Sequence, residues 1–451
     1  MSFQFINHKF KLNINQFIAL AFLCIILIGT LLLSLPISTK DEVSHSIITS
    51  LFTATSSVCV TGLSVTDIWS TYTYFGQTVI LILMEIGGLG FMAIVAILIY
   101  ISKHHTDIPS LSLMAESLGT DTLKNIVRIQ KRLLIGSLIF EFTGALLLFL
   151  NFISSLGIPR ALWFGIFHSV SAFCNGGFDL MGIMQPGSSL ETFQNNPAVL
   201  VTISFLIIVG GIGFIVWDDI VSSKHIRNWS IYTKLVLTTT TLLIGVGSIL
   251  FLFFEFNNND TIGNMQLVDK ISNAFFQSVT TRTAGFAAIN QNSLTDSSIV
   301  LTIILMIIGG STGSTAGGIK TVTFAIIFST ILSSIRGNKN TLVFKRRLSA
   351  SQIIQAYSLL SCFIMISLIS SLIIQTASEI SFTQGFFESA SALATVGLSL
   401  GITGGLPYIS QIVLIILMYI GRVGLLTLTV GFLKPTDNTS IQYPSVKLLI
   451  G

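Results

Sequence analysis

FTATSSVCVTGL at 52–63, FHSVSAFCNGGF at 167–178, FFQSVTTRTAGF at 275–286 and FESASALATVGL at 387–398 align with one another without a gap. Each opens on Phe, runs through small and hydroxyl residues, and closes on Gly and a bulky apolar residue. The glycines Gly62, Gly177, Gly285 and Gly397 each stand ten residues after their Phe and are spaced by 115, 108 and 112. Self-similarity at a steady period marks a repeated structural unit, and four such periods fill the chain.

The residues between the repeats say where the units live. Of the 451 residues, 51% are hydrophobic and 9% charged, too few polar groups to clothe a soluble protein of this length. A hydrocarbon core about 30 Å thick takes about 20 apolar residues per helix. Eight stretches meet that length: 15–35, 75–100, 133–153, 198–221, 232–254, 298–332, 353–375 and 409–433. The sixth is too long for one span and rich in Gly. The first follows Lys9 and Lys11, but its apolar run exceeds the about 7–15 residues of a signal peptide and lacks an A-x-A site, so it reads as a retained helix.

Basic residues give the orientation. Lys9, Lys11, Lys103, Lys124, Arg128, Lys131, Arg132, Lys224, Arg227, Lys234, Arg336, Lys339, Lys345, Arg346, Arg347, Lys434 and Lys447 fall on one side, 17 of the 23 Lys and Arg. Lys40, Arg160 and Lys270 fall on the other. The positive-inside rule then places both termini in the cytoplasm, in a plasma membrane. The net charge of +4 carries no indication of nucleic acid, and Cys24, Cys59, Cys174 and Cys362 have no metal-ligand spacing.

Each of the four segments lies between two spans, on the face opposite the basic loops, and is too short and polar to cross. Non-helical backbone at membrane depth survives where protein shields it or water bathes it, so the segments read as re-entrant loops. The first part of each suits a short descending helix, and the last few residues an extended strand whose carbonyls face an axis. Four carbonyl rings can replace the hydration shell of potassium, and helix carboxyl ends aimed at the ion add to its binding. The reading is an all-α integral membrane protein of four parallel helix–pore-loop–helix units around one pore. Their bounds are 1–105, 106–222, 223–335 with an intramembrane gate loop at 309–319, and 336–433, followed by a tail at 434–451.

VCVTGL at 58–63, SAFCNGGFDLMG at 171–182, TTRTAGF at 280–286 and SALATVGLS at 391–399 resemble the four filter loops of the Trk/Ktr/HKT cation transporters. Eight spans and the ending YPSVKLLIG are most similar to the Ktr membrane subunits. The resemblance implies a selectivity filter of Val60, Thr61, Gly62, Asn175, Gly176, Gly177, Thr283, Ala284, Gly285, Thr395, Val396 and Gly397. Family members with Ser at the first glycine favour sodium, so Gly62 implies potassium as the transported ion. The second loop reads NGG where NAG is more usual. The family also implies sodium as an activator, a homodimer with one pore per protomer, and a cytoplasmic ring of nucleotide-binding (RCK-type, ATP/ADP) regulatory subunits. No sodium ligand is legible in the residues, and the chain offers no nucleotide-binding domain or organic cofactor site of its own.

The helices after the loops repeat too, as EIGGLGF (85–91), IVGGIGF (208–214), IIGGSTG (307–313) and YIGRVGL (419–425). The third continues through Gly309, Gly310, Ser311, Thr312, Gly313, Ser314, Thr315, Ala316, Gly317, Gly318 and Lys320, with hardly a helix former. It should break the helix against a water-filled cavity below the filter and act as a gate. Arg422 replaces the second glycine of the fourth copy, too deep to snorkel easily, and faces a polar interior. Its charge reads as a barrier to cations, matching the family's Arg opposite the gate, and Lys320 reads as an anchor or a gate residue. Glu85, Glu141, His168 and Glu388 read as tuners of the field or buried anchors, and Arg282 as a tie from the third loop to its neighbours.

Two rivals use the same residues. GGSTG at 309–313 fits G-x-S-x-G, but lacks the strand-to-helix elbow and nearby His an enzyme needs. An alternating-access secondary transporter also uses broken helices, yet its repeats would invert, whereas these run parallel.

Overall fold

The computed structural model describes residues 3–5, 8–10, 14–40, 46–90, 126–223, 225–338 and 340–424. Lys11, Lys103, Lys124, Lys224, Lys339, Lys434, Lys447, the stretches 91–100 and 425–433, and the tail lie outside the described residues, as do the side chains of Lys9 and Arg128. The protein is mostly helical. Helices of nine residues or more are numbered α1 Ile14–Leu33, α2 Ile47–Val58, α3 Tyr74–Leu89, α4 Ile126–Leu156, α5 Ile158–Phe173, α6 Pro197–Ile212 and α7 Phe214–Ser222. They continue as α8 Ile231–Glu255, α9 Leu267–Thr280, α10 Asp296–Ile307, α11 Thr321–Ile335, α12 Ala350–Ser378, α13 Phe382–Leu393 and α14 Tyr408–Val423. Among the described residues the paired strands form two small antiparallel hairpins, β1 Phe3–Phe5 with β2 His8–Phe10 and β3 Leu342–Val343 with β4 Arg346–Arg347.

Local chemistry sets the starts. Ser46 accepts from the Thr49 N–H at 3.2 Å before α2, and Ser349 with Gln352 and Ser381 with Gln384 form capping boxes ahead of α12 and α13. Asn196 caps α6 with Pro197 in the first turn. The ends divide the helices into two kinds. Among the described residues α1, α4, α8 and α12 are each long and apolar enough to cross a membrane unbroken. Their partners stop early: α3 at Gly90 (φ 79°), α6 at Gly213 (φ 98°) and α14 at Gly424 (φ 93°), where only Gly takes the left-handed turn without steric cost. At Gly213 the chain bends by 90° into α7. The long sixth stretch is two helices, α10 and α11, parted by a non-helical segment at 308–320.

Packing joins the units in chain order. The long helix of each unit lies on its short one, in the pairs α1–α2, α4–α5, α8–α9 and α12–α13. The third helix of each reaches the short helix of the next: α3 touches α5, α6 touches α9, α10 touches α13, and α14 returns to α2. With lipid outside as apolar as the core, such close packing of small residues rather than water exclusion holds the helices together. Fully buried Phe52, Phe167, Phe276 and Phe387 root the four short helices. The third anchor is therefore Phe276, one residue later than the gap-free alignment on Phe275 predicts. Phe276 stands nine residues before Gly285, against ten in the other three, an offset that the neighbouring Phe275 conceals.

Candidate functional site

The four short helices point their carboxyl ends at one place. Beyond them the extended strand predicted from the sequence does not form. Val60 (φ 56°), Asn175 (φ 60°), Thr283 (φ 70°) and Thr395 (φ 51°) are left-handed, and so, two residues on, are Gly62 (φ 94°), Gly177 (φ 68°), Gly285 (φ 81°) and Gly397 (φ 97°). The residue between each pair is not. Alternating the sign of φ turns successive peptide groups the same way, where a strand would alternate them. Left-handed Val and Thr cost about 1–2 kcal/mol each, so the surrounding contacts must enforce the geometry.

Those contacts form a closed ring. A Cβ added at Gly62 would lie 2.6 Å from Gly176 O, and one at Gly177 2.7 Å from Ala284 O. At Gly285 and Gly397 it would press closer still, against Val396 O and Thr61 O. Each glycine thus abuts the loop of the following unit, and the fourth meets the first. Hydroxyls four residues after each buried Phe brace the ring. Ser56 and Ser391 accept from the N–H of Gly62 and Gly397, both at 3.1 Å, while Ser171 and Thr280 donate to Phe178 O and Phe286 O, both at 2.7 Å. The sequence singled out none of these four as individuals; the signal was a hydroxyl recurring at one offset.

The position after each Phe is an anchor. Tyr72 donates to Thr53 at 3.2 Å, the Leu180 N–H to His168 Nε2 at 3.3 Å, and Gln277 pairs with Gln291 at 2.7 Å. Glu388 accepts from Ser399 and, at 3.1 Å, from Thr403. His168 and Glu388 therefore tie down the chain after the ring. Nearby, burial pushes the Asp179 carboxyl up to about 6; the Met181 N–H, 2.9 Å from Oδ1, pulls the other way, and Asp67 adds to the rise.

The glycine pairs of the third helices seat those short helices. Gly87, Gly210 and Gly421 press on the last carbonyls of α2, α5 and α13, Val58 O, Phe173 O and Leu393 O, with no room for a side chain. The third unit differs: Gly309 faces Gly317 O, and buried Arg282 donates to Gly309 O at 2.9 Å. Arg282 is a tie, as its place in the third loop predicts.

Segment 308–320 crosses beneath the ring. Ser311 N–H donates to Gly211 O at 3.1 Å, Thr315 Oγ1 to Phe173 O at 3.2 Å, and Gly317 N–H to Thr283 Oγ1 at 3.2 Å. Gly317 also lies against Thr395. Arg422 donates to Thr315 O at 2.7 Å and, from its other nitrogen, to Gly87 O and Gly88 O. It thus joins the segment to α3. Lys320 folds back on Ala316 O at 2.8 Å. A cavity of about 450 Å³ borders these groups, lined among others by Gly88, Gly317, Lys320 and Arg422.

Long apolar helices, their broken partners and a ring of buried main chain define a polytopic helical membrane protein. The chain belongs to the TrkH family of cation transport proteins, whose model matches residues 7–442. It is 36% identical over 436 residues to the Ktr system potassium uptake protein B of Bacillus subtilis, covering 97% of this chain and 96% of that one. It is 36% identical to the potassium/sodium uptake protein NtpJ of Enterococcus hirae, covering 98% of each. The crystal structure of the potassium transporter TrkH from Vibrio parahaemolyticus shares the fold, with TM-score 0.71 at 20% identity over 96% of this chain and 87% of that one.

Proposed function

We propose that the chain takes up potassium across the plasma membrane through a gated selective pore, as the translocating subunit of a Ktr-type system. The observation that carries the reading is the closed ring of Gly62, Gly177, Gly285 and Gly397 with alternating φ. Four such turns offer carbonyl rings to a dehydrated cation, and the carboxyl ends of α2, α5, α9 and α13 add negative potential. The names of the Bacillus and Enterococcus relatives supply the ion.

In this reading the selectivity filter is 60–62, 175–177, 283–285 and 395–397, and the four units are 1–105, 106–222, 223–335 and 336–433. Segment 309–320 with Arg422 is the gate: it spans the space under the ring and hangs on hydrogen bonds from other units. Sodium acts as an activator. Both termini lie in the cytoplasm, and two chains pair, each with its own pore. Exposed Arg336, Arg346 and Arg347 belong to the surface that meets a ring of RCK-type nucleotide-binding subunits. Potassium uptake into transport-deficient cells, comparing the native chain with Gly62→Ser, tests the core of it. Native uptake that prefers potassium, with preference lost in the variant, supports the reading; no native uptake, or discrimination unchanged by Gly62→Ser, sinks it.

A further inference from the structure

We propose that Glu85, Glu141 and Cys174 form a buried site for a borderline-soft divalent cation, with Zn2+ as the type, that clamps the first unit to the second. The three residues come from α3, α4 and the carboxyl cap of α5, so neighbouring units supply them. One ligand atom from each lies within 4.8 Å of the others. Cys174 is fully buried and Glu141 is 6% exposed. Cys174 Sγ donates to Glu85 Oε2 at 3.3 Å, and Glu141 Oε1 has no hydrogen-bond partner. Among the described residues no ion pair reaches either carboxylate.

Two carboxylates and a thiol packed this closely at membrane depth cannot all carry bare charge. Protons or a cation must compensate, and the sulfur decides between the cations. Potassium, sodium and magnesium take oxygen ligands, whereas a thiolate beside carboxylates suits zinc and its neighbours. The spacing agrees. Zn–S near 2.3 Å and Zn–O near 2.1 Å in a tetrahedron set sulfur and oxygen about 3.6 Å apart. A small contraction of the widest separation completes the set, and water or a second carboxylate oxygen takes the fourth position. Binding displaces the Cys174 thiol proton and the proton shared by the two carboxyls, and both leave to solvent.

The site lies beside the cavity. Gly88 lines the cavity, and a Cβ there would lie 2.7 Å from Cys174 Sγ, so one strand of backbone separates site and cavity. The same turn of α3 carries the Gly87 and Gly88 carbonyls that hold Arg422. A metal at Glu85 therefore stiffens the anchor of the guanidinium.

The site stands whether or not the chain conducts potassium, and its test reads the metal itself. The full chain in lipid nanodiscs, stripped of metal and dialysed against 65Zn2+, should retain about one ion per chain. Cys174→Ser and Glu141→Gln should each weaken retention at least tenfold, and Cys362→Ser, at an exposed cysteine, should not. Should the site variants fail to fold, Co2+ loaded into the native chain should show a thiolate-to-cobalt charge-transfer band. No retained zinc and no such band, or retention equal in all the variants, would overturn the proposal and leave a proton shared between the acids.

Discussion

Two stretches of naked main chain sit deep in this molecule, and they are held in opposite ways. The glycine ring is fixed by repetition: each loop leaves no space beside the next, and the same hydroxyl offset, served by Ser56, Ser171, Thr280 and Ser391, braces every copy. Segment 308–320 occurs once. It hangs from Gly211, Phe173, Thr283 and Arg422, each in different surroundings, and borders a cavity on its free side. Close packing with no alternative arrangement makes a rigid element, whereas a few hydrogen bonds beside open volume make one that can be displaced. In the function proposed above, selectivity would belong with the first and gating with the second.

Substitutions can break that contrast. Gly397→Ala should have the largest effect, because Cβ would collide with Thr61 O and the position is left-handed. Potassium uptake at equal surface expression should fall more than a hundredfold, and normal uptake would mean that the ring is not the conduction path. In the segment the sign reverses. Arg422→Ala removes charge-assisted hydrogen bonds to Thr315, Gly87 and Gly88, each worth about 1.5–3 kcal/mol. Even about 1.4 kcal/mol of bias toward the open form is tenfold in population, so flux should rise at least tenfold. Unchanged or lower flux removes Arg422 from the gate.

Arg282 links the two regions, and its loss should register as stability. Arg282→Gln gives up the bond to Gly309 O and should lower the melting midpoint in detergent by several degrees, about 1–3 kcal/mol. A midpoint equal to that of the native chain would mean that Arg282 is not what ties the third loop down. The smallest effect should come from Asp179. With its carboxyl raised to about 6, Asp179 loses its charge as pH falls through that value. Uptake at low potassium should then drop about twofold between pH 7.5 and 5, and Asp179→Asn should flatten the profile. The same raised value makes the folded state bind more protons than the unfolded one, so stability conferred by neutral Asp179 is lost as pH rises from about 4 through 6. Asp179→Asn should recover it at pH 7.5.

Much of this was legible in the residues. The four glycines, a helix break in the run from Gly309 and an Arg422 turned to a polar interior all follow from period, composition and the demand that lipid makes on backbone polar groups. Other features were not. The extended strand expected beyond each short helix gave way to left-handed Val60, Asn175, Thr283 and Thr395: Asn tolerates that conformation, but β-branched Val and Thr disfavour it in isolation and packing overrules the preference. The one-residue slip to Phe276 was hidden by a second Phe beside it. Cys174 shows no metal spacing along the chain, since its neighbours Glu85 and Glu141 stand on other helices.

The sequence by itself determined that the chain is a membrane protein carrying a fourfold sequence repeat, because hydrophobic length and an internal period are properties of covalent order. Tertiary structure alone decided which atoms meet: the handedness within the loops, the grip of Arg282 on Gly309, the three oxygens that receive Arg422, and the gathering of Glu85, Glu141 and Cys174. Each of these depends on contacts between segments far apart in the chain, which become neighbours only once the ring has closed.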